Sequence, residues 1–175
     1  MAKNIIIGVG NILFYDDGVG VMLVEYLRSN FSFFPELELL DGGTLGFNLI
    51  EYFVEYDNVL IVDTISIDAK PGEIYKIPSQ ELLGKSSYKN TAHEVEVVSM
   101  LEACELYEKK ANVLVFGIVP EDINRVEIGL SETLKNRFDV LLGSVLKEIG
   151  TLEVDAQRVN DVELNEIIEK LKAWR

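Results

Sequence analysis

The chain has 175 residues, of which 48% are hydrophobic and 26% are charged, values typical of one globular domain with a buried core. Thirty acidic side chains against sixteen basic ones give a formal net charge of -14. Because such a chain repels a phosphate backbone and contains no basic stripe, the composition excludes nucleic acid as an expected partner.

The targeting and redox signals predict a cytoplasmic protein. The apolar stretch near Met1 is only a few residues long before glycines begin, which is too short for a signal-peptide core or a membrane span. The single cysteine, Cys104, excludes an intramolecular disulfide and a CxxC zinc site, and it fits a reducing compartment. We therefore expect a cytoplasmic protein that is not inserted in a membrane. As a separate expectation, the protein is a monomer.

Short apolar runs alternate with segments of helical spacing along the chain. The runs predict strands buried on both faces of a mainly parallel sheet, and they lie at 5–7, 37–40, 59–62 and 113–116, with a further short strand of undefined direction at 73–77. Apolar residues with helical spacing occur at 21–27, 47–53, 97–106, 134–145 and 162–171, and a polar segment at 84–92 predicts an exposed loop.

This alternation predicts a doubly wound, three-layer α/β/α domain, because parallel strands need crossovers and helices cover both faces of the sheet. No repeat, low-complexity tract or long linker divides the chain. We expect residues 1–150 to form a single α/β domain. Residues 151–175 would then be a helical appendage, packed on that domain or on a partner.

The first predicted strand ends in a glycine-rich turn at residues 8–13. The turn begins like a dinucleotide-binding fingerprint, but Leu13 occupies the position of the third glycine. Asp16 and Asp17 follow, and their charges would repel a pyrophosphate at the start of the first helix. A structural interpretation is that Asp16 or Asp17 caps this helix.

Asp63 and His93 also stand at the ends of predicted elements. Asp63 directly follows a buried strand, at the position where open α/β sheets place their ligand sites. His93, the only histidine, lies where the polar loop meets a helix, and a capping or surface histidine is the structural alternative. If Asp17, Asp63 and His93 converge on one sheet edge, they offer two oxygens and one nitrogen to a divalent transition metal.

The motifs of common peptidase mechanisms are absent from the sequence. His93 opens an HExxH-like segment, but Val97 stands where the second histidine is required. Residues 63–65 lack the glycine of a pepsin-type loop, and there is no Gly-x-Ser-x-Gly elbow. If one helix carries both residues, Cys104 would lie about 16 Å from His93, which is too far for a catalytic dyad.

Glycine-rich and acidic motifs occur in a specific order, namely Gly8-Val9-Gly10-Asn11, Asp16-Asp17-Gly18-Val19-Gly20, Asp41-Gly42-Gly43-Thr44, Asp63, His93, Gly117-Ile118-Val119-Pro120-Glu121 and Ile128-Gly129-Leu130-Ser131. Together, over roughly residues 4–148, they resemble the hydrogenase maturation endopeptidase family. That family trims the large subunit of nickel–iron hydrogenases. The resemblance implies a twisted five-stranded sheet between helices and an endopeptidase that is aspartic-type by family.

The resemblance also implies which residues form the site. It assigns the metal contacts and the catalytic positions to Asp17, Asp63 and His93, with Asp16 as the alternative to Asp17. The family's Asp-Gly-Gly box corresponds to residues 41–43, so that Asp41, Gly42 and Gly43 would help to recognise the substrate. A sharp structural turn is the alternative explanation for these two glycines.

The implied reaction removes the C-terminal extension of a nickel–iron hydrogenase large-subunit precursor after nickel insertion. The nickel would arrive on the precursor, and no organic cofactor is implied. Two alternatives remain open at this point. One is a nucleotide- or small-ligand-binding α/β module in which the aspartates bind ribose or Mg²⁺, and the other is a non-cleaving chaperone that senses metal in a partner.

Overall fold

A central sheet of five strands organises the protein, for which a computed structural model describes residues 2–44, 46–82, 99, 102 and 111–173. A second sheet contains two strands. In chain order the strands are β1 (Asn4–Val9), β2 (Phe31–Phe34), β3 (Glu38–Gly43), β4 (Asn58–Thr64), β5 (Ile74–Pro78), β6 (Asn112–Ile118) and β7 (Asp155–Arg158).

The central sheet has the order β3-β1-β4-β6-β5. β1 pairs in parallel with both β3 and β4, and β4 pairs in parallel with β6. β5 pairs antiparallel with β6, which defines the direction of the short strand that the sequence left open. The predicted mainly parallel, five-stranded α/β fold is therefore confirmed.

Helices flank this sheet on both faces. In the described residues they are α1 (Val19–Asn30), α2 (Ile50–Glu55), α3 (Ser79–Leu82), α4 (Glu132–Thr151) and α5 (Leu164–Ala173), with short 3-10 turns at Tyr15–Gly18 and Gly46–Leu49. No helix in the described ranges is both long and apolar enough to cross a membrane. The predicted helix at 97–106 and the predicted loop at 84–92 lie outside the described residues, apart from Ser99 and Glu102.

Alternate residues of the strands pack in two separate hydrophobic cores, one on each face of the sheet. Ile6 of β1 packs in a core with α1, α4 and α5, whereas Ile5 and Ile7 pack in a second core that includes Phe53 of α2. This division follows from the two-residue period of a strand, which sends successive side chains to opposite faces of the sheet. The three-layer arrangement thus places apolar side chains on both faces of β1.

The C-terminal segment packs on the rest of the chain through a strand and a helix. β7 pairs antiparallel with β2, and neither strand is predicted from the sequence. Ile167, Ile168 and Leu171 of α5 are buried in the same core as α1. The missed strands are short and half-exposed, so they lack the continuous apolar run that marks the central strands.

The strand order creates a switch point next to β1. The chain passes from β1 to β3 on one side and later returns to place β4 on the other side. In open α/β sheets, ligand sites form beyond the carboxyl ends of the strands at such a point. The segment after β1 and the end of β4 meet there.

Candidate functional site

Asp17 and Asp63 lie together at this switch point. Asp17 belongs to the 3-10 turn between β1 and α1, and it is 7% exposed. Asp63 is the penultimate residue of β4, and it is 3% exposed. Two of the three predicted site residues are therefore buried carboxylates at the same edge of the sheet.

Two glycines allow the main chain to pass close to this edge. A Cβ atom on Gly20, at the start of α1, would lie 2.1 Å from the carbonyl oxygen of Val62 in β4. Gly10 has a φ of +124°, and a Cβ there would lie 1.8 Å from the carbonyl oxygen of Asp17 and 3.7 Å from Oδ1 of Asp63. Gly10 therefore lies between the main chain of Asp17 and the side chain of Asp63.

Thr64 connects the two carboxylates through hydrogen bonds. Its hydroxyl donates to Oδ1 of Asp17 across 3.2 Å, and its main-chain N–H donates to Oδ1 of Asp63 across 2.7 Å. Thr64 is itself 4% exposed. Thr64 is not among the residues predicted from the sequence, although a polar residue directly after Asp63 at the end of a buried strand is a usable signal.

The other oxygen of Asp17 is held by the glycine-rich turn. The main-chain N–H of Asn11 donates to Oδ2 of Asp17 across 2.8 Å. In a dinucleotide-binding fold, the N–H groups of this turn face the pyrophosphate. Here an internal carboxylate accepts from one of those groups, which argues against the nucleotide-binding alternative.

Asp16 has a different role from its neighbour. It is fully buried, and its carboxylate accepts hydrogen bonds from the main-chain N–H groups of Glu121, Asp122 and Ser131 at 2.9, 3.0 and 2.6 Å. These donors lie in the segment after β6, not in the first turn of α1, so the capping interpretation is wrong for Asp16. Asp16 pins that segment beside the site, while Asp17 shares Thr64 with Asp63.

The Asp-Gly-Gly segment ends β3 next to the same turn. The N–H of Gly10 donates to the carbonyl oxygen of Gly43 across 3.0 Å, and Gly43 has a φ of +43°. A Cβ on Gly42 would lie 2.7 Å from Cγ2 of Ile7. Backbone conformation and close packing thus account for the glycines at 42 and 43 without a role in substrate binding. Asp41, in contrast, is exposed.

An open cavity of about 210 Å³ adjoins this segment. Its lining includes Asp41 and Thr44 from the end of β3, and Gly10, Asn11 and Ile12 from the turn after β1. Gly10 and Asn11 also contact the aspartate pair, so the cavity and the pair are neighbours. The cavity therefore leaves open space next to the turn that holds the two carboxylates.

His93, the third predicted member of the site, lies outside the described residues. Among the residues that are described, no group of three or more His, Cys, Asp or Glu side chains has a metal-binding arrangement. The described part of the site consists of two buried carboxylates linked by Thr64. Carboxylate oxygens are ligands for divalent cations, and they also accept protons from water in general base catalysis.

Comparison with known proteins identifies the family. A sequence model described as hydrogenase maturation protease matches residues 21–148. The hydrogenase 2 maturation protease of Escherichia coli K12 is 29% identical over 166 residues, covering 91% of this chain and 99% of its own. The delta subunit of coenzyme F420 hydrogenase from Methanothermobacter thermautotrophicus is 32% identical over 156 residues, covering 85% of this chain and 96% of its own.

A solved structure agrees with these sequence matches. The hydrogenase maturating endopeptidase HybD from E. coli superimposes with a TM-score of 0.80 and 26% identity, covering 89% of this chain and 97% of that one. The family model spans more than half of the chain, and both sequence and fold support the match. This chain belongs to the hydrogenase maturation protease family.

Proposed function

We propose that this protein is the endopeptidase that removes the C-terminal extension from a nickel–iron hydrogenase large-subunit precursor after nickel has been inserted. Family membership makes it a hydrolase that acts in hydrogenase maturation. The observation that carries the proposal is the pair of buried carboxylates, Asp17 and Asp63, held by Thr64 at the ligand-binding edge of the sheet. The neighbouring cavity, which Gly10 and Asn11 line, supports the proposal that the peptide substrate approaches this edge.

The nickel ion of the precursor is part of the substrate. Asp17, Asp63 and His93 contact it, since carboxylate and imidazole groups suit a divalent transition metal with open coordination positions. Both carboxylates are buried at the same sheet edge and are linked through Thr64, so a divalent cation there would find two oxygen ligands. Binding at this site therefore favours precursors that already carry metal.

The carboxylates then have a second task in the cleavage step. The substrate's cation supplies Lewis-acid chemistry, either by polarising the scissile carbonyl or by lowering the pKa of a water molecule. A carboxylate of the site accepts a proton as that water attacks the carbonyl carbon, and it passes this proton to the amine nitrogen of the extension as the C–N bond breaks. In this proposal the metal ion comes from the substrate, and the proton-accepting aspartate comes from the enzyme. The enzyme is therefore a metal-dependent, aspartic-type endopeptidase.

Substrate recognition involves the cavity beside the aspartate pair. Asp41 is the exposed carboxylate of its lining, and Gly42 and Gly43 form the turn that positions it. The negative charge of Asp41 suits a basic residue near the cleavage point. We propose that residues 41–43 dock the segment of the precursor that precedes the extension.

A processing assay tests the function directly. Nickel-loaded and nickel-free precursors are incubated with the purified protein, and the C-terminus of the precursor is determined by mass spectrometry. We expect shortening of the nickel-loaded precursor alone. A precursor that is bound in its nickel-loaded form but never shortened would instead support the non-cleaving chaperone.

Variants test the site in the same assay. Asp17→Asn, Asp63→Asn and His93→Ala should abolish processing while circular dichroism shows an intact fold. Asp139→Asn, which changes an exposed aspartate of α4, is the matched control and should process normally. Normal processing by the first three variants would reject the site.

A further inference from the structure

Thr64 is placed to control how the two site carboxylates face each other. It is the last residue of β4, and 47 residues separate it from Asp17 in the sequence. Its hydroxyl holds Asp17 and its main-chain N–H holds Asp63, at 3.2 and 2.7 Å. The two carboxylates thus come from different segments, and one residue is bonded to both.

We propose that Thr64 is a positioning residue that sets the orientation of Asp17 relative to Asp63 for contact with the substrate's metal ion. This inference rests on the proposed function, in which the two aspartates contact that ion. Groups that hydrogen-bond to metal ligands orient them, and loss of such a group typically lowers metal affinity or activity about 10- to 100-fold.

The chemistry of threonine fits this role. Its hydroxyl supplies one donor, which Asp17 uses, and β-branching restricts its χ1 angle. The donor is therefore presented from a stiff side chain at the end of a buried strand. Without it, Asp17 would lose the hydrogen bond to its Oδ1, whereas the hydrogen bond from Asn11 to its Oδ2 would remain.

The Asp63 contact responds differently to substitution. The donor to Asp63 is the main-chain N–H of Thr64, so changing the Thr64 side chain keeps this hydrogen bond. A Thr64 variant therefore loosens one carboxylate while the other stays in place. Because only the bond to Asp17 is lost, a Thr64 variant distinguishes the positioning of Asp17 from a general disruption of the site.

The test compares Thr64→Ser with Thr64→Ala, because these two variants differ only by the hydroxyl oxygen. Ni²⁺ alone is titrated calorimetrically into each purified protein, and kcat and KM are measured for cleavage of nickel-loaded precursor. We expect Thr64→Ser to remain within about threefold of the parent chain. We expect Thr64→Ala to lose about 10- to 100-fold in Ni²⁺ affinity and in kcat, with the KM for nickel-loaded precursor raised as well.

A double variant shows whether the effect passes through Asp17. When Asp17→Asn is already present, adding Thr64→Ala should lower Ni²⁺ affinity no further, because the group that Thr64 orients has lost its charge. Thr151→Val is the matched control, since the Thr151 hydroxyl donates to the carbonyl oxygen of Glu148 at the end of α4. It should bind Ni²⁺ and cleave precursor like the parent chain.

The outcomes separate this inference from the proposed function. Equal Ni²⁺ affinity and equal kcat for Thr64→Ser and Thr64→Ala would overturn the positioning role, even if Asp17→Asn and Asp63→Asn are inactive. Normal cleavage by those two aspartate variants would overturn the proposed site itself. Additive losses in the double variant would also contradict positioning through Asp17.

Discussion

The main-chain N–H of Ser131 donates a hydrogen bond to Oδ1 of Asp16 across 2.6 Å, although 115 residues separate the two in the sequence. Ser131 also caps α4, since its side chain accepts from the N–H of Leu134. Asp16 therefore links the turn after β1 to the start of α4. Because Asp17 is the next residue, this link supports one wall of the candidate site.

Replacing Asp16 by alanine should destabilise the protein strongly. Three main-chain N–H groups, one buried and two part-buried, would lose their acceptor, and a buried group costs about 1–3 kcal/mol when it is left unpaired. We expect the free energy of unfolding to fall by about 3 kcal/mol, measured by urea denaturation. Asp139→Ala, at an exposed position, is the control, and an equal small loss in both variants would contradict the pinning role.

Gly10→Ala should destabilise the chain because no side chain fits at this position. The φ of +124° disfavours an L residue, and the new Cβ would lie 1.8 Å from the carbonyl oxygen of Asp17. We expect a loss of at least about 3 kcal/mol in the free energy of unfolding and a displaced Asp17.

Gly143→Ala is the matched control for this substitution. A Cβ on Gly143 meets nothing within 4 Å, and the residue lies inside α4. Alanine there should raise the free energy of unfolding by up to about 1 kcal/mol, because alanine favours helix more than glycine does. Thermal and urea unfolding of both variants measure the contrast. Similar stability of Gly10→Ala and Gly143→Ala would show that the close approach at Gly10 is unimportant.

Asp41→Asn should weaken precursor binding more than catalysis. Asp41 lies at the cavity beside the aspartate pair, so removal of its charge is expected to raise KM about tenfold, equivalent to about 1.4 kcal/mol, with a much smaller change in kcat. Initial rates at varied precursor concentration give the two constants. Glu38→Gln, at the opposite end of β3, is the control and should leave both unchanged. A fall in kcat with unchanged KM would place Asp41 in the cleavage step instead.

The C-terminal segment should contribute to stability through its helix. We propose that the C-terminal segment, described as far as residue 173, packs on the α/β domain, since Leu171 is 4% exposed and belongs to the core shared with α1. Leu171→Ala should therefore lower the free energy of unfolding by about 3 kcal/mol in urea. Val159→Ala, at a residue that is 54% exposed, should change it by less than about 0.5 kcal/mol. Equal effects of the two substitutions would contradict this packing role.

The sequence was most informative about the central sheet. The apolar runs at 5–7, 59–62 and 113–116 correspond to β1, β4 and β6, because a strand covered on both faces needs an unbroken apolar segment. β2 and β7 escaped detection, since each is half-exposed and depends on the other for its pairing. A strand that is buried on both faces leaves an apolar run that the sequence shows. A half-exposed strand that forms by pairing with a distant segment leaves no such local pattern.

For the site, the sequence by itself determined the order of the motifs, the resemblance to a family, and the position of Asp63 at the end of a buried strand. The tertiary structure alone decided that Asp16 pins the segment after β6, while Asp17 joins Asp63 through Thr64. Strand ends are visible in sequence because burial leaves a local apolar pattern. Adjacent aspartates look identical in sequence, and only packing decides which distant N–H or hydroxyl group each carboxylate meets.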